Sequence, residues 1–439
     1  MREELKLLAI SGTDPYKDII TQEDIIKILS KQQALNFKPG DKFSYTNSGY
    51  VILAEIVKSV SGMSLRKFAD SAIFKPLGMS NTHFHDDYTE IEKNRAYSYD
   101  VEDSSHFANS ISSASYTGSQ GLFTNINDMS KWVMNFYEYK TGDQQLIDSL
   151  TKHVKLNNGT ELPYANGIIV DTYKGWKRYS HGGFDAGYRT NVSVFPDLNM
   201  GFIIFSNRGD FDPNPLPDDI TEFFIKDTTQ KKENIVSAKA DTIAAILKDS
   251  LQMKKFLGHY MDEGGLQISF DLKDGKLYFH YKDESGVLVK ESKDNFAMLD
   301  YLPMKFAFSI IAKDTIVDNT FPNEFESRIL YHFKKIQETP PDDQVLQTYT
   351  GDYYCPELDC KYGIVLKDHQ LMLTNSKYND TRLVWITRDQ LTTAYWWIDH
   401  LQMLRDNKNQ VIGFEVNSSE MIHWVMHLKF IKLNREETR

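Results

Sequence analysis

The sequence predicts a mixed α/β domain in the first half of the chain and two all-β modules, barrels or sandwiches, in the second half. Residues 1–227 combine stretches of helical apolar spacing with β-rich runs. Residues 251–439 contain short alternating apolar runs separated by Asp-Gly, Asn and Lys clusters. This second part also repeats itself. A chain of 439 residues is long enough for two or three domains.

Helices of the first domain are predicted from apolar spacing and from terminal signals. Residues 21–35, TQEDIIKILSKQQAL, begin at Thr21 and carry acidic residues in the first turn. Residues 48–62, SGYVILAEIVKSVSG, repeat apolar residues every three or four positions and stop at a glycine. A third helix is expected over residues 125–139, with a cap near Asn125 or Asn127.

A β-hairpin is predicted near the end of the first domain. The runs YRTNVSVFPD and MGFIIFSNR are rich in β-branched and aromatic residues, and a Pro-Asp-Leu-Asn turn separates them. The proline-rich residues 212–219 then close the segment and introduce another helix.

The second half of the chain is predicted to hold two homologous β modules. FLGHY at residues 256–260 matches YTGDY at residues 349–353, an offset of 93 positions. SFDLKDGKLYF and GIVLKDHQLML match at an offset of 94. We therefore expect a domain over 1–227, a linker over 228–250, and β modules over 251–338 and 344–439.

Composition excludes several classes of partner and leaves the redox state open. The net charge of -11 disfavours nucleic acid and anionic membranes. No apolar stretch is long enough for a signal peptide at the first residues or for a membrane span. The two cysteines, Cys355 and Cys360, form either one short-loop bridge or a pair of thiols.

Tyr45-Thr46-Asn47 is the first candidate catalytic motif. A phenol and a carboxamide on one face of an extended turn can both point into a cleft. A tyrosine acts as a general base only where neighbouring cations lower its pKa from about 10. The alternative is a structural tyrosine followed by Asn47 as the N-cap of the helix that begins at Ser48.

His181-Gly182-Gly183 is the second candidate motif and stands at the start of a predicted strand. Glycines there let a substrate backbone lie against the strand, where main-chain N–H groups bind it. The imidazole can donate to a carboxylate or polarise the tyrosine. The alternative interpretation is that His-Gly-Gly is only a turn.

The two motifs, in this order and about 136 positions apart, resemble the serine β-lactamase and penicillin-binding-protein superfamily, particularly its β-lactamase-related hydrolases. That superfamily uses Ser-x-x-Lys, then Tyr-x-Asn, then Lys-Thr-Gly or His-x-Gly. The stretches NFKPGDKFSYTNSGY, IFKPLGMSNTHFHDD, TGSQGLFTNINDMSKW and YSHGGFDAGYRTNVSVFPD strengthen the likeness. The resemblance covers about residues 1–225 and implies an antiparallel sheet with flanking helices. The β modules resemble accessory domains of many members.

The resemblance implies a role for three side chains. Tyr45 would be the general base and acid that carries the proton of a nucleophile. Asn47 would bind the amide carbonyl of the substrate. His181 would replace the lysine of the third motif and orient a substrate carboxylate or support Tyr45.

The resemblance also implies a substrate-binding strand and a class of substrate. Gly182 and Gly183 would line that strand, with Gly183 allowing close approach. The N–H of Phe184 would be one oxyanion donor. The expected substrate is a small peptide, an ester or a β-lactam-like compound, and neither a cofactor nor a metal is expected.

No nucleophile precedes Tyr45. The first 44 residues contain no Ser-x-x-Lys, and the two strings that occur, residues 64–67 and 149–152, follow Tyr45 in the wrong chain order. Ser64 is expected to be an ordinary helix cap. We therefore expect an N-terminally incomplete domain that is inactive as given. The alternative is a non-catalytic pseudoenzyme that binds peptide or peptidoglycan-like ligands. An upstream signal peptide would imply a periplasmic or secreted protein, and its lack a cytoplasmic one.

For two further groups of residues, a purely structural role is favoured over metal or ligand binding. His83-Phe84-His85-Asp86-Asp87 resembles the H-x-H-x-D-H string of metallo-β-lactamases, but a tyrosine replaces the last histidine. A surface loop without metal is the favoured interpretation. The tryptophans at residues 385, 396 and 397 are a possible ligand platform, and packed barrel aromatics are favoured.

Overall fold

The protein is described from a computed structural model, which covers residues 1–15, 17–101, 106–224, 253–262, 265–281, 284–292, 294–298, 304–311, 314–320, 330–336, 341–418 and 424–434. The predicted linker, residues 228–250, lies outside this set. The described α-helices are Glu4–Ser11, Gln22–Ser30, Ser48–Ser61, Leu65–Ala69, Lys75–Leu77, Ile126–Glu138, Gln144–Leu150, Pro215–Thr221 and Asp343–Tyr349. Within the described ranges, none of the helices has the length and apolar character needed to cross a bilayer.

Local sequence signals place the predicted helices correctly. Thr21 caps Gln22–Ser30 through a capping box, in which its hydroxyl accepts from the N–H of Asp24 while the Asp24 carboxylate accepts from the N–H of Thr21. The helix Ser48–Ser61 ends at Gly62, whose φ of 72° is the left-handed conformation that glycine adopts without strain. Asn125, one of the two predicted caps, accepts from the N–H of Asp128.

The central sheet of the first domain is a four-stranded antiparallel meander. Its strands are Ile169–Tyr173, Trp176–Asp185, Tyr188–Phe195 and Met200–Ser206, and each pairs with the next in the chain. The predicted hairpin of the last two strands is confirmed. The helix Ile126–Glu138 packs against this sheet, with Val133 and Phe136 in the same core as Val194 and Tyr179.

Three small sheets complete the first domain. Ile20–Thr21 pairs in parallel with Ala114–Ser115. His83–Phe84 pairs with Leu122–Phe123, and Ser98–Val101 pairs with Phe107–Ser110, both antiparallel. A π-helical turn, Asp70–Phe74, connects two of the helices.

Both β modules are closed eight-stranded antiparallel barrels, which confirms the predicted fold class. The first consists of Gly258–Met261, Gln267–Lys273, Lys276–Tyr281, Glu284–Lys290, Asn295–Met298, Met304–Ile311, Asp314–Thr320 and Leu330–Lys335. The second consists of Gly351–Cys355, Cys360–Lys367, Gln370–Thr374, Thr381–Thr387, Gln390–Thr392, His400–Arg405, Val411–Ser418 and Val425–Lys432. Each closes where its first strand pairs with its last, at Tyr260 with Lys335 and at Tyr353 with Lys432.

The sequence repeat corresponds to a repeated hydrogen bond. In the first barrel the buried hydroxyl of Tyr260 donates to the carbonyl of Phe256 at 2.8 Å. In the second, Tyr353 donates to the carbonyl of Tyr349 at 2.5 Å. In both barrels a lysine of the last strand lies over the tyrosine ring, at 6.0 and 5.8 Å from its centre. The matched segments therefore occupy equivalent positions.

The second barrel shares a core with the start of the chain. Leu7, Leu8 and Ile10 of the first helix are buried in one cluster with Tyr362 and Phe430 of the barrel. Of the three tryptophans predicted to be packed barrel aromatics, Trp385 and Trp397 pack against this same core. Trp396 instead contacts Trp397 edge-on, at 5.6 Å between ring centres. The first barrel has a separate core.

A buried ion pair joins the same two parts of the molecule. The guanidinium of Arg2 lies 2.6 Å from the Glu357 carboxylate, and it also donates to the carbonyls of Met426 and His427. The ammonium of Lys6 donates to the Ser418 hydroxyl at 2.6 Å. Because both cations are almost fully buried, these polar partners are what makes their burial tolerable.

Candidate active site

Tyr45 and His181, predicted to act together, lie close in space with Tyr164 between them. The rings of Tyr45 and His181 are 6.4 Å apart, centre to centre. Tyr164 is 5.8 Å from Tyr45 in an edge-on arrangement and 5.9 Å from His181. Tyr45 precedes the helix Ser48–Ser61, whereas His181 lies in the strand Trp176–Asp185. The rings of Tyr45, Tyr164 and His181 thus form one aromatic cluster.

The hydrogen bonds of His181 define which ring nitrogen carries the proton. Nδ1 lies 2.5 Å from the carbonyl oxygen of Gly182, which can only accept, so Nδ1 carries a hydrogen. Nε2 lies 3.2 Å from the Tyr164 hydroxyl and, in the neutral ring, accepts from it. Burial lowers the pKa of His181. The imidazole is therefore neutral near pH 7.

The strand that carries His181 has one edge partly uncovered by its neighbour. Pairing with Ile169–Tyr173 begins at Ser180 and continues away from the motif, whereas pairing with Tyr188–Phe195 extends to Asp185. Residues 181–185 therefore have one edge that the strand Ile169–Tyr173 does not cover. Such an edge can pair with an extended substrate main chain.

Gly183 packs tightly against the next strand. A Cβ at this position would lie 2.3 Å from Oγ1 of Thr190, so a larger residue would require that side chain to move. Contact with Thr190 is by itself a sufficient reason for glycine. Phe184 beside it is 62% exposed, and the guanidinium of Arg189 lies 5.0 Å from its ring centre.

Asp185 is a second ionisable group on the face of His181 and Gly183, since side chains alternate along a strand. Burial raises its pKa, while a hydrogen bond from Ser112 and the charges of Arg95 and Arg189 oppose this rise. The sequence analysis did not select Asp185. Its position two residues after a glycine in a candidate strand was the available signal.

Asn47 has its polar contacts with Glu3. The Glu3 carboxylate accepts from the Asn47 side-chain amide at 3.1 Å and from its main-chain N–H at 3.0 Å. It also accepts from the Thr46 hydroxyl at 2.7 Å. The side-chain cap considered for Asn47 is not formed, and the Asn47 side-chain amide donates to Glu3.

A second carboxylate is buried next to Glu3. The Ser48 hydroxyl lies 2.5 Å from Oε2 of Glu4, and the N–H of Glu4 donates back to that hydroxyl. Burial raises the pKa of Glu4 well above its usual value, and the adjacent charge of Glu3 adds to the rise. Burial and the neighbouring charge therefore both favour the protonated form of Glu4.

The two Ser-x-x-Lys strings have structural hydrogen bonds. The hydroxyl of Ser64 accepts from the N–H of Lys67 as the cap of Leu65–Ala69, as predicted. Ser149 donates to the carbonyl of Gln145 within the helix Gln144–Leu150. Both hydroxyls are therefore used in hydrogen bonds within their own helices.

The structure thus brings together part of the predicted set. Tyr45 and His181 lie in one aromatic cluster, whereas the Asn47 side-chain amide is hydrogen-bonded to Glu3. The sequence analysis missed Tyr164 and Glu3, since neither lies in a motif. The only sequence signal for Tyr164 was the proline before it in LPYANG. The only signal for Glu3 was the acidic start of the chain.

Comparison with known proteins shows a family and several relatives to which this chain is similar. Residues 9–223 match the family model described as Beta-lactamase. Penicillin-binding protein 4* of Bacillus subtilis (strain 168) is 26% identical over 209 residues, covering 44% of this chain and 46% of that protein. A D-aminopeptidase of Gluconobacter oxydans (strain 621H) is 24% identical over 194 residues, covering 44% of this chain and 37% of that protein.

Among solved structures, the octameric penicillin-binding protein homologue from Pyrococcus abyssi aligns with a TM-score of 0.44 at 20% identity. That alignment covers 75% of this chain and 73% of the other. The chain spans less than half the length of the curated relatives described above.

Proposed function

Residues 9–223 belong to the serine β-lactamase and penicillin-binding-protein superfamily, and on this basis we propose that they form part of an acyl-transfer site for D-amino-acid peptides or amides. The relatives named D-aminopeptidase support this substrate class. The observation that carries the proposal is the proximity of Tyr45 and His181, 136 positions apart in the chain and 6.4 Å apart between ring centres.

Each residue has a defined role in this proposal. Tyr45 moves the proton between a serine nucleophile and the leaving group. His181, neutral and fixed by Tyr164, orients Tyr45 or a substrate carboxylate. The edge of residues 181–185 pairs with the substrate main chain, Gly182 and Gly183 line it, and the N–H of Phe184 faces the developing oxyanion.

We further propose that these 439 residues do not form an acyl-enzyme by themselves. No Ser-x-x-Lys precedes Tyr45, and the serines of both later strings are used in helix capping or helix hydrogen bonds. In the family pattern the lysine of Ser-x-x-Lys takes part in the proton transfer to and from the tyrosine, and no such motif precedes Tyr45.

The alternative function is non-catalytic binding of a peptide or a peptidoglycan-like ligand. One observation favours it. The Asn47 amide, expected to bind a substrate carbonyl, is hydrogen-bonded to the buried carboxylate of Glu3. A substrate would have to displace this contact or bind without it.

Two measurements on the full chain test these proposals. The first is intact mass after incubation with a penicillin, which detects any covalent adduct. The second is calorimetric titration with D-alanyl-D-alanine amide and its all-L isomer. His181→Gln is the site variant, and His332→Gln is the matched control because His332 is exposed and pairs with Asp318 in the first barrel.

We expect no adduct, preferential binding of the D isomer, and weaker binding in His181→Gln but not in His332→Gln. A penicillin adduct on any serine would contradict the proposed inactivity. Equal binding of both isomers would favour the non-catalytic alternative. Failure of both isomers to bind would remove the acyl-transfer proposal and the peptide-binding alternative together.

A further inference from the structure

Two histidines and two glutamates converge at the strand His83–Phe84 and the loop that follows it. Nε2 of His83 lies 3.4 Å from Nδ1 of His85. Oε2 of Glu90 lies 3.9 Å from Nδ1 of His85, and Oε2 of Glu92 lies 3.8 Å from Nε2 of His83. The ligand atoms of His83, His85 and Glu90 all lie within 4.8 Å of one another.

We propose that this group, called here the His83 cluster, binds one divalent transition metal ion, with Zn²⁺ as the best match. The cluster comprises His83, His85, Glu90 and Glu92. Two nitrogens bound to Zn²⁺ at about 2.0–2.1 Å and at the tetrahedral angle lie about 3.3 Å apart. The distance of 3.4 Å between the two histidine nitrogens matches this value without rearrangement.

The mixed ligand set also favours this type of ion. Imidazole nitrogen together with carboxylate oxygen suits Zn²⁺ and its neighbours, whereas Ca²⁺ and Mg²⁺ select oxygen ligands alone. Each carboxylate oxygen lies about half an ångström farther from its nearest histidine nitrogen than a four-coordinate site needs. Ion binding therefore requires the Glu90 and Glu92 side chains to move by about that amount.

His85 is held in place before any ion binds. Its ring stacks on Phe123 at 4.3 Å between centres and 9° between planes, and its main-chain N–H donates to the carbonyl of Gly121 at 2.7 Å. His83 pairs with Phe123 in the adjacent strand. His85 is only 5% exposed. Its Nδ1 is the ring nitrogen that faces His83 and Glu90, so it is the atom that would bind the ion.

Arg66 positions one of the carboxylates. It donates to both oxygens of Glu90, at 2.6 and 3.0 Å, and to Asp86 at 2.9 Å. A carboxylate has enough lone pairs to accept from Arg66 and to bind a metal at the same time. Carboxylate ligands of metals are commonly fixed by such outer hydrogen bonds, so the ion pair supports the site.

The charge around the histidines favours a cation. Four carboxylates and two guanidinium groups surround them: Asp86, Asp87, Glu90, Glu92, Arg66 and Arg95. The carboxylates outnumber the guanidinium groups by two. A bound divalent cation would neutralise this difference. None of these residues belongs to the aromatic cluster of Tyr45, Tyr164 and His181. The metal site is therefore independent of the proposed function.

The test uses the full chain without an affinity tag, stripped of metal with a chelator and titrated with Zn²⁺ alone. Calorimetry gives affinity and stoichiometry, and X-ray absorption gives the ligand type in the unmodified protein. His83→Gln and Glu92→Gln are the site variants. His332→Gln is the histidine control, and the double variant Cys355→Ser with Cys360→Ser removes the thiols that compete for zinc.

We expect one Zn²⁺ per chain, with nitrogen and oxygen at about 2.0–2.1 Å and no sulfur at about 2.3 Å. His83→Gln should weaken binding by at least about tenfold, while the His332 and cysteine variants bind as the wild type does. No binding by the wild type, a sulfur shell, or equal affinity in His83→Gln would overturn the proposal. The absorption spectrum decides the matter even where a variant fails to fold.

Discussion

Tyr164 donates to Nε2 of His181 at 3.2 Å, and the same imidazole donates from Nδ1 to the carbonyl of Gly182 at 2.5 Å. Both ring nitrogens are therefore satisfied in the neutral ring. Protonation of Nε2 would break the bond from the hydroxyl, or force that hydroxyl to turn and accept instead. The phenol of Tyr164 thus reinforces the effect of burial, which already lowers the pKa of His181.

Replacing Tyr164 with phenylalanine should raise the pKa of His181 toward its ordinary value. The substitution removes a donor that stabilises only the neutral imidazole, so the charged form becomes relatively less unfavourable. Loss of this hydrogen bond should also cost about 1 kcal/mol of unfolding free energy. An NMR titration of the imidazole Cε1–H signal measures the pKa.

Tyr137→Phe is the matched control for that experiment, because the Tyr137 hydroxyl is also half-buried and donates to a carbonyl, that of Met200. It should leave the titration of His181 unchanged. An unchanged or lower His181 pKa in Tyr164→Phe would show that the phenol does not act as the donor.

The stability of the chain should fall as the pH drops from about 6.5 to about 4, largely through His400. Burial lowers the pKa of His400 to about 4, and its ordinary value is about 6.5. Because the folded-state pKa is the lower one, the unfolded chain binds the proton first. The loss begins below about 6.5 and reaches about 3 kcal/mol near pH 4.

Urea unfolding followed by tryptophan fluorescence measures this loss, since four of the six tryptophans lie between residues 385 and 424. His400→Leu should flatten most of the dependence, and His369→Leu, an exposed control, should not. Burial also lowers the pKa of His85 and His181, so a smaller dependence should remain. A full acid dependence in His400→Leu would contradict the assignment.

Glu3→Gln should destabilise the chain by about 1–3 kcal/mol. The substitution weakens three hydrogen bonds to Thr46 and Asn47 in a buried position and removes the charge at the start of a helix. It should also lower the pKa of Glu4, which the charge of Glu3 raises. Denaturant unfolding and carboxyl-carbon NMR measure the two effects.

Glu161→Gln is the control for a change of charge alone, because Glu161 forms an exposed ion pair with Lys155. We expect it to change stability by less than about 1 kcal/mol. Equal stability of Glu3→Gln and Glu161→Gln would show that the contact with Asn47 contributes nothing measurable.

Oxidised glutathione should convert Cys355 and Cys360 into an intramolecular disulfide. The two cysteines are free thiols and face each other directly in adjacent antiparallel strands, a pairing whose Cα separation lies within disulfide range. The pKa of Cys355 is lowered, chiefly by a hydrogen bond from Cys360. The Cys355 thiolate attacks glutathione disulfide, and Cys360 then displaces the bound glutathione.

Intact mass should show the loss of two hydrogen atoms with no retained glutathione. Cys360→Ser should instead retain one glutathione, because no second thiol displaces it. Reaction should be slower than for an exposed cysteine, since both side chains are buried. A wild-type chain that keeps glutathione bound would mean that the two sulfurs cannot meet.

Sequence alone predicted the parts of this molecule whose causes are local. The Thr21 cap, the left-handed Gly62 and the Ser64 cap each depend on residues within four positions. The internal repeat predicted two homologous β modules but did not decide between barrels and sandwiches. The contacts of Glu3 with Asn47 and of Arg2 with Glu357 join residues 44 and 355 positions apart, and no periodicity reports such distances. Tyr164 was missed for the same reason.

The shared core between the first helix and the second barrel has a calorimetric consequence. Because Leu7, Leu8 and Ile10 are buried among barrel residues, neither side can melt without exposing the other. The second barrel and the segment that holds Asn47 should therefore unfold as one cooperative unit, whereas the first barrel, with its separate core, should give its own heat-absorption peak. The two barrels share one architecture, but only the second would unfold together with the start of the chain.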